Sequence, residues 1–195
     1  MIMAKATGPT YNVPFKRRRR GLTNYKKRVA LVKSGKPRMV VRKTGKHVIV
    51  QFVEFSNEGD KTLASANSKE LEAHKWVVQN NLPTAYLTGI LAANKAKKAK
   101  VNEFVLDIGL KTATKNALPF AAAKGAVDAG LKTSLNPELI DESRVKGEHI
   151  AAYAESLKGK PDYDKRFSRY IKAGIAPEKL AEKFNEVKQA LLKSS

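Results

Sequence analysis

Cysteine is absent from the chain, and so is any acidic residue before Glu54. The first absence excludes a disulfide framework, a thiolate nucleophile and Cys-ligated zinc, and it suits a reducing interior. Long apolar runs are missing too: none approaches the ~18 residues of a membrane span. The opening MIMAKATGPTYNV lacks an apolar core and a small-residue cleavage site, so no secretory signal is expected. Histidine is sparse. His47, His74 and His149 are scattered, with no i, i+4 pair and no Ser or Cys elbow. Metal binding and nucleophilic catalysis have no constellation to stand on, and no cofactor is expected.

The missing acids have a counterpart. Residues 1–53 hold fifteen Lys and Arg, so +15 of the net +20 lies in the first quarter of 195 residues. Such a block repels itself, and its natural counterpart is a polyanion. The densest stretch, FKRRRRGLTNYKKR at 15–28, sets Phe15 and Tyr25 among eight basic residues, with Tyr11 just before it. Lys and Arg neutralise phosphates and release counterions, and Arg grips phosphate with two donors. Aromatic rings among cations offer flat surfaces to unstacked bases, which favours structured or single-stranded RNA over plain duplex DNA. A membrane surface is a weaker reading, because the arm has no apolar face to insert. A solvated basic tail or a nuclear-type address signal is the bland alternative.

Along the chain, residues 1–22 read as an extended arm with little structure of its own. TNYKKRVALVKS at 23–34 reads as a short helix capped by Thr23 or Asn24, with Val29 and Val32 on a weak apolar face. RMVVRKTGKHVIVQFVEF reads as a β-hairpin with strands around Val40–Val41 and Val48–Phe55, turned at KTGK where Gly45 is expected at positive φ. SNEGD is a second turn and KTLASANS a third strand. Residues 69–80 suggest a short helix around the core anchor Trp76, without a strict capping box at Ser68. Pro83 opens a stronger helix with Leu87, Ile90, Leu91 and Asn94 on one side. EFVLDIGL at 103–110 suits a buried strand, and LPFAAAKGAVDAGL a close-packed helix. The order β-β-β-α-β-α implies an α/β fold, helices packed against a mixed sheet of about four strands.

Beyond Leu131 the pattern turns helical. NPELIDESRVKGEHIAAYAESLKG reads as a helix from Asn136, with Pro137 at its first position and Gly159 after its end. PDYDKRFSRYIKAG reads as a polar connector. The last stretch places Leu180, Phe184, Val187 and Leu191 on one face of an amphipathic helix. The division is a basic arm at 1–34, an α/β core at 35–133 and a helical C-terminal extension at 134–195.

One motif points elsewhere. VLDIGLKT at 105–112 resembles the Asp-x-Gly phosphate loop of sugar kinases and actin-like ATPases, which would give Asp107 a metal to hold. That family needs this loop on its first hairpin and a second phosphate loop later; here it lies on the fourth strand and no partner loop follows. The alternative reading, in which Asp107 ties the strand end to nearby backbone N–H groups, is preferred.

Taken together, ATGPTYNVPFKRRRRGLTNYKKRVALVKSGKPRMVVRKTGKHVIVQFVEF, DKTLASANSKEL, LPTAYLTGILAANKA and EFVLDIGL with GAVDAGL resemble the universal large-subunit ribosomal protein that binds 5S rRNA. The long arm and helical tail are similar to its archaeal form. The resemblance implies a non-enzymatic, cytoplasmic structural protein. It would attach 5S rRNA in the central protuberance and touch 23S-type rRNA and neighbouring ribosomal proteins, including the other 5S-binding protein. No membrane is expected among its partners. The family's RNA-facing elements fall on the arm and first hairpin. The expected RNA-binding residues are Tyr11, Phe15, Lys16, Arg17, Arg18, Arg19, Arg20, Tyr25, Lys26, Lys27, Arg28, Lys33, Lys36, Arg38, Arg42, Lys43, Lys46 and His47, with no catalytic or metal-binding residue.

Overall fold

The computed structural model of the protein describes residues 8–9 and 11–193. Four strands form one sheet in the order β3-β2-β1-β4: β1 Arg38–Lys43, β2 Val48–Glu54, β3 Lys61–Asn67 and β4 Val105–Asp107. The first three are antiparallel neighbours and β4 joins β1 in parallel, so the sheet is mixed as expected. A parallel partner needs a crossover connection, and the helix between β3 and β4 supplies it. Register sets the two faces. Met39 opposes Phe52, Val41 opposes Val50, and Ala64 and Ala66 of β3 oppose Phe52 and Val50. These form the core face, whereas Arg38, Val40 and Arg42 alternate to the other side.

Helix α3, Leu82–Lys98, lies across the core face. Asn81 caps it by accepting from the Thr84 N–H at 3.1 Å. Pro83 fits the first turn, where its missing donor costs nothing. The expected one-sided apolar stripe understates its burial: twelve of its seventeen residues are buried. The cause is three-sided packing, against the sheet, helix α4 (Leu118–Asp128) and helix α8 (Leu180–Lys193). The α3–α4 contact is as close as the Ala-rich sequence suggested. A methyl group on Gly89 would overlap the Ala122 carbonyl, and one on Gly125 would overlap that of Tyr86. Small residues at both positions let the backbones touch.

Several local expectations need correction. The arm is less featureless than expected, since Lys16–Arg19 make one helical turn, α1. The helix predicted over 23–34 is α2, Tyr25–Val32, capped by Asn24. Gly45 is not at positive φ. The hairpin turn is closed instead by Thr44, whose N–H donates to the His47 carbonyl at 2.8 Å while its Oγ1 accepts from the His47 N–H at 3.0 Å. The helix expected around Trp76 is a 3-10 segment, Ser68–His74, that stops at Lys75 in the left-handed region. It does have a capping box, one residue earlier than Ser68: Asn67 Oδ1 accepts from Lys69 N–H and Glu70 Oε1 from Asn67 N–H, both at 3.0 Å. Trp76 is a core anchor as expected, donating from Nε1 to Thr84 Oγ1 at 2.9 Å. Only three residues of 103–110 form the fourth strand.

The tail differs most. The single helix expected from Asn136 to Gly159 is three pieces: a 3-10 turn at Pro137–Leu139, α5 Glu142–Lys146 and α6 Glu148–Leu157. Gly147 breaks α5 from α6 at φ 81°, with Leu180 and Pro83 pressed against it. The expected connector is a helix, α7 Asp162–Lys172, and buries Phe167 (4% exposed) and Tyr170 (2%). Its apolar positions are few, and the polar residues between them masked the period. The last helix, α8, buries all four expected residues. Phe184 stacks at a tilt on Tyr86, 5.4 Å between centroids, and meets Trp76 edge-on at 6.3 Å. Asn94 of α3 donates to the Leu191 carbonyl at 2.7 Å. The helix that had to pack on something packs on α3.

Candidate nucleic-acid interface

The basic segment folds into two short helices joined by a turn. Just after α1 the Leu22 N–H returns to the Arg17 carbonyl at 2.9 Å, and Arg17 Nε donates to Thr23 Oγ1 at 2.8 Å. Phe15 reaches across to Tyr25, 5.4 Å between ring centroids, yet stays 71% exposed. Lys16, Arg17, Arg18, Arg19 and Arg20 are all exposed, and among the described residues no carboxylate pairs with them. Lys26, Lys27 and Lys33 of and after α2 are exposed likewise, as is Tyr11.

Helix α2 buries no residue of its own, so its placement rests on few contacts. The Arg28 guanidinium supplies one. Its Nη2 donates to both oxygens of Asp60, each at 2.8 Å. Asp60 also accepts from Arg38 Nη2 at 2.6 Å. Arg38 Nη1 donates on to Asp107 Oδ2 at 3.1 Å, and Asp107 Oδ1 accepts from Arg42 Nη2 and from the Gly109 N–H, both at 2.8 Å. Arg42 Nη1 closes on the Asp107 carbonyl at 2.7 Å. The result is a chain, Arg28–Asp60–Arg38–Asp107–Arg42, that joins α2, the β2–β3 turn, β1 and β4.

Electrostatics keep both carboxylates charged. Burial pushes Asp107 up, but the Arg42 hydrogen bond and charge, the Gly109 N–H and the Arg38 charge outweigh it and hold the carboxyl below its ordinary value. Burial likewise raises Asp60, and Arg38 and Arg28 more than offset it. Five charged groups in alternation stabilise one another where a lone buried ion would not survive.

The structure therefore sorts the expected RNA-binding residues. Arg38 is set apart: at 3% exposed, with two carboxylates on its guanidinium, it is an internal counter-charge. Arg28 and Arg42 are partly exposed and partly committed to the same chain. Lys36 pairs with Glu103 at 2.6 Å. Lys43 and Lys46 are exposed at the end of the hairpin; His47 is half-buried there, its Nδ1 3.4 Å from Ser68 Oγ. Tyr25 is half-buried against Phe15. Sequence reasoning missed Asp60 as the anchor of α2. The signal was available in part, since Asp60 is among the first acids after the basic block.

The arrangement is unsuited to the phosphate-loop enzyme. Both Asp107 oxygens already accept from guanidinium or backbone donors, and the two guanidinium cations on the carboxylate oppose a metal cation there.

Comparison with known proteins decides the family. The family model described as "Ribosomal large subunit proteins 60S L5, and 50S L18" matches residues 9–103. The protein named large ribosomal subunit protein uL18 from Ignicoccus hospitalis is 51% identical over 191 residues, covering 96% of this chain and 94% of its own. Its counterpart of the same name from Korarchaeum cryptofilum is 50% identical over 179 residues, covering 91% and 92%. The chain belongs to this family. It is a family of structural large-subunit ribosomal proteins, not of enzymes, and the large subunit is a cytoplasmic complex. The match to the family model takes in the arm from residue 9 onward, the hairpin and α3, and thus every expected RNA-binding residue.

Proposed function

We propose that this protein is a structural constituent of the large ribosomal subunit that binds 5S rRNA and mediates its attachment in the central protuberance. On this reading it also contacts 23S-type rRNA and neighbouring ribosomal proteins, including the other 5S-binding protein. The observation that carries the proposal is the exposed ridge Lys16–Arg20, free of carboxylate partners among the described residues and flanked by the Phe15–Tyr25 ring pair. Cations on such a ridge have phosphates as their natural ligand, and the rings add stacking surfaces. Residues 1–34 act as the RNA-binding arm, and the Arg28–Asp60 contact fixes the arm's second helix to the core.

The test is a titration of 5S rRNA with the full chain and with a variant carrying Arg17→Ala, Arg18→Ala, Arg19→Ala and Arg20→Ala. Each phosphate contact contributes roughly 0.7–0.9 to the slope of log affinity against log salt, so the variant should lose about three units of slope. Its thermal midpoint should stay within about 2 °C of the parent, because the four residues bury nothing. Equal affinity of the parent for 5S rRNA and a scrambled RNA of the same length would overturn the 5S assignment.

A further inference from the structure

Between the end of the hairpin and the helical tail runs an open groove of about 940 Å³. One wall carries Lys46 and His47 of the hairpin turn and Lys75 at the end of the 3-10 segment. The other carries Arg169 of α7, Lys179 of the 3-10 turn just before α8, and Lys183 in the first turn of α8. Five Lys and Arg side chains thus face one cleft against Glu72, Glu182 and Glu186, and Glu186 is already paired with Lys183 at 2.7 Å. Arg169, Lys179 and Lys75 have no ion pair among the described residues. The floor is apolar, from Val77 and Ile175, and Trp76 beneath it is too deeply buried to stack on a ligand.

The charge excess calls for an anion, and cations on both walls of an open groove suit an extended one that runs between them. The lack of an exposed ring in the walls argues for contact with a backbone and against base readout. One wall is continuous with the proposed RNA surface, since Lys46 and His47 belong to both. We infer that the groove is a second seat for 5S rRNA: phosphates of the strand held by the hairpin run on between the hairpin end and the tail, and meet Arg169 and Lys179. This rests on the reading of the protein as a 5S rRNA binder. It assigns RNA contact to the tail, which lies beyond the matched residues 9–103 but within the length shared with the archaeal relatives.

Two measurements on the full chain test it. Arg169→Gln with Lys179→Gln should lower the salt slope for 5S rRNA by about 1.4–1.8 units, the value for two lost phosphate contacts. Both residues are exposed, so the thermal midpoint should be unchanged. Because the chain has no cysteine, a single Ala173→Cys can carry an iron chelate that cuts nearby RNA backbone by hydroxyl radicals, with Leu22→Cys as the control on the arm. Cleavage of 5S rRNA from both positions, at different nucleotides, supports the groove as a seat. Cleavage from position 22 alone, or an unchanged salt slope in the double variant, overturns it and leaves the arm reading standing. No cleavage from either position, together with no preference for 5S rRNA in the parent, removes the underlying reading as well.

Discussion

Asp107→Ala should unfold the protein at a much lower temperature without touching the exposed ridge. In the parent, Asp107 accepts from Arg38 and Arg42 and from the Gly109 N–H. Alanine removes all three acceptor positions and leaves Arg38, whose side chain is only 4% exposed, with Asp60 as its one remaining counter-charge. Breaking a buried ion pair by removing one partner costs about 3–5 kcal/mol. Asp60 still compensates Arg38 in part, and Arg42 can turn to solvent, so the low end applies, about 3 kcal/mol. For a chain of this size each kcal/mol moves the midpoint by about 2–4 °C, which gives a loss of about 6–12 °C. The assay is a thermal melt by circular dichroism at neutral pH. The pH dependence follows from the same groups. Asp107 and Asp60 have lowered values in the folded state. Their stabilisation is therefore complete above the unfolded carboxylate value of about 3.9 and lost as pH falls through the lower folded values. The gap between parent and variant should stay constant from pH 7 to about 5 and close in stronger acid. A midpoint loss under about 2 °C, or a gap that persists unchanged at pH 3, would refute the claim that this charge chain holds β1 to β4.

Gly89→Ala should also destabilise, although the same change in an ordinary helix interior gains about 1 kcal/mol. The new methyl would overlap the Ala122 carbonyl of α4, so a net loss of about 1–3 kcal/mol is expected in urea unfolding, and a gain would show that α3 and α4 can separate freely. Phe184→Ala should cost about 3–5 kcal/mol and change the fluorescence of Trp76, the single tryptophan, because Phe184 packs on both Trp76 and Tyr86. Unchanged emission would mean that α8 does not seal the face of α3.

What could be read from the sequence follows from how local each signal is. The hairpin, the third strand and α3 were legible because alternation, turn residues and caps lie within a few positions of one another. The C-terminal helix was legible from Leu180, Phe184, Val187 and Leu191, but its partner was not, because Asn94 and Tyr86 contact it from about a hundred residues away. Helix α7 was hidden for the opposite reason. Phe167 and Tyr170 are its only fully buried side chains, set among Lys165, Arg166, Arg169 and Lys172, and the charge looked like a connector. Gly147 was a second blind spot: a left-handed residue in the middle of a helical pattern cannot be told from a tolerated glycine until Leu180 is seen against it.

The same distinction explains the interface. Charge density and aromatic spacing are local, so the ridge Lys16–Arg20 and its rings could be found without a structure. Which cations are available to a ligand is not local. Arg38 stands in the same basic block as Arg42, on the same face of β1, yet one is buried between two carboxylates and the other is half open. The difference is made by Asp60 and Asp107, 22 and 69 residues away along the chain. These two acids do more than balance charge. By holding Arg28 they fix α2, which has no buried residue of its own, and by holding Arg42 they fix the turn end of the hairpin. A surface made of like charges resists its own assembly, and two carboxylates placed behind it offset that repulsion while leaving the ridge Lys16–Arg20 without carboxylate partners among the described residues.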